Sequence, residues 1–395
     1  MQKTIFISLF QAIEFRNIVR TDIYQEIIRH PDIRVVFFTD SKGKKEHFES
    51  EFHAPNVVYE VVEGYTPGAC AETLFRGEIR ESRAKTLKPD AGILVKVRQG
   101  GLKSLQPHFW NCSRIWGSHT CSKVLTSVFR FFKFNLIRSS TIDLKRIWEL
   151  RESKNYPKFV FKFLFNRIFS KAAVRRIVRR LDHLLIRENF FAPYFDHYQP
   201  SLILLAHLFS DIETAVLREA KRRGTKTIGL INSWDKLTAR AMLRLLPDEM
   251  IAHNELVKKD AVAHADMDPR RIHVVGIPHF DYYINTARTP KADFYKKYGM
   301  QDDEHIILFC PAGPAISDAD SRILQLLADL CAHFPLPYPV KLFVRYPPND
   351  RITTPPDYRD VIFQMPGKRF SLERGTDWDM NFADFKFDPR TIDAV

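Results

Sequence analysis

Several short clusters in this chain combine side chains that can move protons, bind phosphate or stack on a ring. Ser233-Trp234-Asp235-Lys236, with Thr238 close behind, is one, and His253-Asn254-Glu255 is another. Pro278 and Asp281 mark a third, and Arg16, Asn17 and Arg20 a fourth. Ala312-Gly313 and the run from Arg345 to Asp350 complete the set. Asp235, His253 and Glu255 are of the types that take a proton from a hydroxyl group. Arg16 and Arg20 suit an anionic ligand, because a guanidinium binds carboxylate or phosphate through paired hydrogen bonds. Arg345, together with backbone N–H groups around Ala312 and Gly313 ahead of a helix expected near Ser317, suits a phosphate. Trp234 offers a face for a ring to stack on, or a body that simply packs. Each cluster also has a plainer reading, since a polar residue after a strand is commonly a helix N-cap or a turn former. Their shared position at the ends of apolar runs is what groups them.

Those runs predict the elements that position the clusters. Strands are expected in "KTIFISLF" (3–10), "IRVVFFTD" (33–40) and "NVVYEVV" (56–62), with a polar loop in "FQAIEFRNIVRTD" and a short helix in "IYQEIIRH". Strands resume in "PSLILLAH" (200–207), "KTIGLIN" (226–232), "DEMIAHN" (248–254) and "RIHVVGIP" (271–278). Between the first two of these, "DIETAVLREAKRRG" has acids first, bases last and Gly224 as its stop, as the helix dipole and C-cap rules require. Strand–helix–strand alternation implies a parallel sheet. A doubly wound sheet of this kind gathers its strand ends at one edge, where such sheets bind ligands. The polar stretch 286–304 reads as a linker between a domain over 1–285 and a second series over 305–395. That second series holds the runs "HIILFCPAGP", "VKLFVRYPPND" and "VIFQMP" around the helix "DADSRILQLLADLCAHF". Residues 65 to 120 show no clear periodicity.

The net charge of +13 sits mostly in one place, because Lys123 to Asp182 holds 16 Lys or Arg against four acids. Residues 123–188 read as a basic, Phe-rich helical insertion. One reading places Phe129, Phe131, Phe132, Phe159, Phe161, Phe163 and Phe165 at a membrane surface, with Arg175, Arg176, Arg179 and Arg180 on anionic head groups. The other makes the Phe face core and the Arg face solvated. No RNA-binding or helix-turn-helix pattern accompanies the charge, which argues against nucleic acid. The five cysteines are odd in number and scattered, so reduced thiols are expected and no zinc spacing is seen. The opening "MQKTIFIS" reads as a strand rather than a signal peptide. A cytoplasmic protein is expected, with a peripheral place on the inner face of the cytoplasmic membrane as the option the basic segment opens.

The ordered set "NSWDKLTAR", "IAHNELVKKDAVAHADMDPRRIHVVGIPHFDYY", "ILFCPAGP" and "LFVRYPPND" resembles bacterial GT-B transferases. The nearest types are CDP-glycerol glycerophosphotransferases and surface-polysaccharide glycosyltransferases, with UDP-N-acetylglucosamine 2-epimerases more distant. The likeness covers about 200 to 350. It implies an α/β fold of two Rossmann-like domains facing a cleft, the acceptor on the N-terminal one and the nucleotide-linked donor on the C-terminal one. The implied reaction moves a sugar or glycerol phosphate from a UDP- or CDP-linked donor to a cell-envelope acceptor, lipid-linked or glycan. No metal or other cofactor is implied. Ser233, Trp234, Lys236, Thr238, Asn254, Pro278 and Asp281, with the Arg16 cluster, would then contact substrate. Asp235, His253 and Glu255 would be catalytic, and Ala312, Gly313, Arg345 and Asp350 would bind the donor phosphates. Two departures stand out. A proline replaces the histidine that the family carries after the arginine matching Arg345. Segment 305–395 is also shorter than the ~150 residues a full Rossmann-like half uses, which implies an incomplete C-terminal domain. A non-catalytic, partner- or membrane-binding protein and a UDP-sugar epimerase are the alternatives.

Overall fold

The computed structural model describes residues 3–67, 119–153, 155–281, 284, 290–313, 317–346, 358 and 361–364. The chain divides into two compact units, one of Met1–Phe10, Gln25–Lys45 and Phe52–Ile277, the other of Gln11–Tyr24, Glu46–Glu51 and Pro278–Val395.

A seven-stranded sheet organises the first unit. Its strands are β1 (Lys3–Ser8), β2 (Ile33–Thr39), β3 (Val57–Val61), β4 (Leu202–Leu205), β5 (Lys226–Leu230), β6 (Glu249–Ala252) and β7 (Ile272–Val274). They lie in the order β3-β2-β1-β4-β5-β6-β7, and every pairing is parallel. All seven coincide with apolar runs of the sequence, because a parallel sheet covered on both faces needs continuous β-branched and aromatic residues. The strand order reverses between β1 and β4, which is the switch point of the sheet. Phe6, Phe38, Phe195, Leu205 and Met250 belong to its core. Phe6 meets Phe38 edge to face at 4.8 Å.

Gly229, in the middle of β5, marks a close approach. A Cβ built there would lie 2.5–2.8 Å from the Leu208 side chain. Leu208 is itself buried in the core, so it has little room to give. Gly229→Ala is therefore expected to destabilise by about 1–3 kcal/mol, measured by urea unfolding. Wild-type stability in that variant would show that Leu208 repacks freely.

The predicted helix after β4 is present as α9 (Asp211–Arg223), closed by Gly224 at φ +68°. Before it in the chain come α1 (Ala12–Ile18), α2 (Asp22–Ile28), α3 (Lys42–Glu51) and α8 (Ala192–Tyr198). The basic insertion folds as α4 (His119–Asn135), α5 (Ser140–Ser153), α6 (Tyr156–Phe169) and α7 (Ala172–Leu185). Both expectations for its faces need correction. Phe129 is core, beside Leu136 and Ile137. Arg175 and Arg179, expected on the outside, are buried and grip Asp266 from the far end of the unit's sequence. Ile177, Leu181 and Leu184 point outward instead. On α7, Arg175, Arg179 and Asp182 face in beside Val178, while those aliphatics face out with Arg176 and Arg180.

The second unit holds a three-stranded parallel sheet, β10-β9-β8, of β8 (His305–Phe309), β9 (Val340–Arg345) and β10 (Val361–Gln364). Helix α13 (Asp320–His333) connects β8 to β9 and packs Leu324 with Leu342 and Val344. The stretch read as a linker, 286–304, contains α12 (Lys291–Lys297), whose residues Phe294 and Tyr295 form a core with Phe343. The expected polar loop after β1 is instead α1. The Glu14 carboxylate accepts from the Gln11 N–H at 2.8 Å, the return half of a capping box. Phe15 stacks on Phe48 at 3.8 Å, which ties α1 to the end of α3.

Candidate functional site

Three polar residues sit buried at the carboxyl ends of the three central strands beyond the switch point. His207 follows β4, Asn232 follows β5 and His253 follows β6, and each is less than 8 % exposed. Leu230 pairs with Ile251. Asn232 and His253 each come two residues later, just past the ends of these neighbouring strands, which run about 4.8 Å apart. Among the described residues, neither polar atom of the Asn232 side chain has a hydrogen-bond partner, and neither does His253 Nδ1. Leaving such groups buried and unpaired costs about 1–3 kcal/mol each, and native folds keep few of them. Burial lowers the His253 pKa below its ordinary value, so the ring is neutral at pH 7 and able to accept a proton. At the switch point the ends of β1 and β4 are knitted together. Ser8 Oγ accepts from the Ala206 N–H at 2.9 Å, and the His207 N–H donates to Glu213 Oε2 at 2.8 Å.

The Ser233–Thr238 cluster forms the turn that leaves β5. Ser233 Oγ donates to Asp235 Oδ1, which fixes that carboxylate ahead of the short helix α10 (Lys236–Ala239). Thr238 Oγ1 donates to the Asp235 carbonyl at 3.3 Å, and the Thr238 carbonyl accepts from Ser139 Oγ. Trp234 is 71 % exposed. Helix α10 packs against α11 (Glu255–Ala265), the helix that leaves His253. The fold therefore brings the elements of the Ser233 and His253 clusters side by side. Asn254 is the N-cap of α11 and accepts from the Val257 N–H at 2.9 Å, so its side chain has a structural task already. Glu255, in the first turn of α11, is exposed.

The other predicted residues belong to the second unit. Asn17 is buried on α1, and Arg20 bridges to Glu51 at 2.9 Å. Arg16 lies on α1, with its side chain outside the described ones. Helix α1 contacts the turn at Pro278–Phe280, so the Asn17 and Pro278 elements are neighbours; Asp281 is exposed just after. Arg345 ends β9, and Asp350 lies outside the described residues. Ala312 is exposed. The Gly313 N–H already donates to Asp320 Oδ2 at 2.7 Å, so a carboxylate holds the place assigned to a phosphate. Among the described residues, no group of His, Cys, Asp and Glu is arranged to hold a metal ion.

Sequence reasoning passed over His207 and Asn232. Their signal was present, since each is a polar residue closing an apolar run, but it looked the same as an ordinary strand end.

No family model matches the chain, and no curated protein matches it in sequence. Among solved structures it is similar to a protein assigned as a UDP-N-acetylglucosamine 2-epimerase from Listeria monocytogenes. That match has 8% identity and a TM-score of 0.41, over 93% of this chain and 70% of the other. It is also similar to the UDP-GlcNAc 2-epimerase of Neisseria meningitidis bound to UDP-GlcNAc, with 11% identity and a TM-score of 0.40 over 92% and 72%. A glycosyltransferase from Rickettsia africae follows, with 9% identity and a TM-score of 0.35 over 87% and 60%. The α/β architecture described above stands on the strand order itself.

Proposed function

We propose that the first unit binds a polar, hydroxyl-bearing substrate at the carboxyl ends of β5 and β6, and that the protein is a transferase acting on a nucleotide-activated sugar or glycerol phosphate. One observation carries this reading: Asn232 and His253, just past the ends of the adjacent strands β5 and β6, are buried with polar atoms that have no partner among the described residues, at the edge where parallel sheets bind ligands. An amide that can donate and accept, beside a neutral imidazole, is suited to hold a hydroxyl group and take its proton as it attacks. Asp235, held by Ser233, is the second group assigned to that proton. In the reaction the acceptor oxygen bonds to the glycosyl carbon or phosphorus while the bond to the nucleotide phosphate breaks. A cell-envelope acceptor belongs to the same proposal. An epimerase would differ by turning over a UDP-sugar with no acceptor present.

The test is thermal unfolding with UDP, CDP, GDP or ADP and their sugar or glycerol conjugates at millimolar level. Binding at 100 times the dissociation constant adds about 2.7 kcal/mol. Asn232→Ala is expected to leave unliganded stability equal or higher, because it removes two unpaired buried groups, yet to abolish the shift with conjugates. A loss of more than about 1 kcal/mol without ligand would make Asn232 a structural residue and sink the reading. So would the absence of a shift with every compound.

A further inference from the structure

The structure assigns a membrane-facing role to the outer surface of helices α4 and α6: it docks flat on an anionic lipid surface. On α6, Val160, Phe161, Leu164 and Ile168 recur at helical spacing and are 48–57% exposed. Their orientation is fixed from the opposite side, where buried Asn166 donates to the Asn135 carbonyl at 3.1 Å and to that of Ile137. The stripe continues onto α4, because the Phe131 ring lies 6.4 Å from Phe161 and 5.2 Å from Phe165. Val128 extends it along α4. An apolar surface spread over two packed helices is far more than the scattered exposure of an ordinary surface.

Charge identifies the occupant. Lys158 is exposed on α6, and Arg176 and Arg180 are exposed on α7, which packs on α4. The acids of the insertion are fewer, and Asp182 is buried inside it. An apolar stripe on so basic a segment suits the boundary of an anionic bilayer, with aromatic side chains at head-group depth. A second copy fits poorly, since two-fold pairing would set the same basic residues against themselves. Among the described residues no helix is long and apolar enough to cross a membrane, so the contact is face-on. The face carries this role whatever reaction the first unit performs.

The experiment is co-sedimentation of the full chain with vesicles of phosphatidylcholine alone or mixed with phosphatidylglycerol, at low and high salt. Binding is expected at least tenfold stronger to the anionic vesicles and weakened by salt. The double variant Phe161→Glu/Leu164→Glu should lose it while keeping its circular dichroism spectrum. Leu256→Glu, at an exposed position on α11 outside this face, should bind as wild type does. Equal binding to both vesicles, or unchanged binding by the double variant, would overturn the proposal. Concentration-dependent dimerisation in light scattering, lost in the double variant without any vesicle binding, would assign the face to a second copy instead.

Discussion

Arg218→Ala is expected to cost about 3–5 kcal/mol, because it removes a fully buried cation that bridges Asp182 and Glu188 in a buried charge network. Arg218 has no exposed surface. On α9, it donates to Asp182 of α7 at 2.5 Å and to Glu188 beyond it. Arg244 donates to the same Asp182 at 2.7 Å and continues to Asp211 at 3.3 Å. Lys133 of α4 reaches Asp211 at 3.2 Å and the Phe209 carbonyl at 2.6 Å. The network therefore fastens the basic insertion to the helix that follows β4. Burial pushes the Arg218 pKa down to about 10, against the pull of Asp182, so the guanidinium stays charged at pH 7. Urea unfolding followed by circular dichroism measures the loss. Arg218→Met, which keeps much of the volume, should be nearly as damaging, since charge rather than packing is at stake. Should both variants lose less than about 1 kcal/mol, the network would be no stronger than a surface pair.

The same residues show where the sequence could be read and where it could not. Each strand of the main sheet stood out because a parallel strand buried on two faces has no polar alternation to hide it. Helix α9 was equally plain, with Asp211 and Glu213 at its start and Gly224 at its end. Helix α1 was missed because Gln11 is not among the usual N-caps, and the Glu14 return bond alone marked it. Helix α7 was misread for a deeper reason. Its period separates two faces well, but which face turns inward is decided by partners 62 to 91 residues away, Arg244 and Asp266. A basic stripe looks solvated until the carboxylates that bury it are placed.

The candidate site was legible only in its outline. The Ser233 and His253 clusters could be assigned to strand ends, but whether they were neighbours depended on β5 and β6 being adjacent and in register. Asn232 gained significance from what it lacks in the fold, a partner for either polar atom among the described residues. Asn254 lost significance in the same way, because its oxygen caps α11. Burial and pairing, which sequence does not carry, separated two strand-end asparagines: Asn254 caps a helix, and Asn232 is buried with no partner among the described residues.

Asp266→Asn isolates the second buried charge cluster more cleanly than any deletion. Asp266 closes α11 in the left-handed conformation, at φ +59°. Asparagine tolerates that backbone as well as aspartate does, whereas alanine would add strain. The substitution keeps the shape and removes the charge that faces Arg175 at 2.5 and 2.9 Å and Arg179 at 2.5 Å. Both arginines stay in place through other bonds, Arg175 to the Ser170 carbonyl at 2.7 Å and Arg179 to that of Leu243 at 2.9 Å. They would then be two buried cations without a carboxylate, at an expected cost of about 3–5 kcal/mol at pH 7. The acid limb gives an independent check. Burial alone would raise the Asp266 pKa, but hydrogen bonds and charge from Arg175 and Arg179 outweigh it and hold the carboxyl below its ordinary range. The unfolded chain therefore takes up this proton first as pH falls. The stabilisation is complete above the unfolded value of ~3.9 and is lost as pH drops through the folded one. Urea midpoints at pH 7, 5, 4 and 3 should converge for wild type and variant at the acid end. Parallel curves would mean that Asp266 acts through its backbone alone.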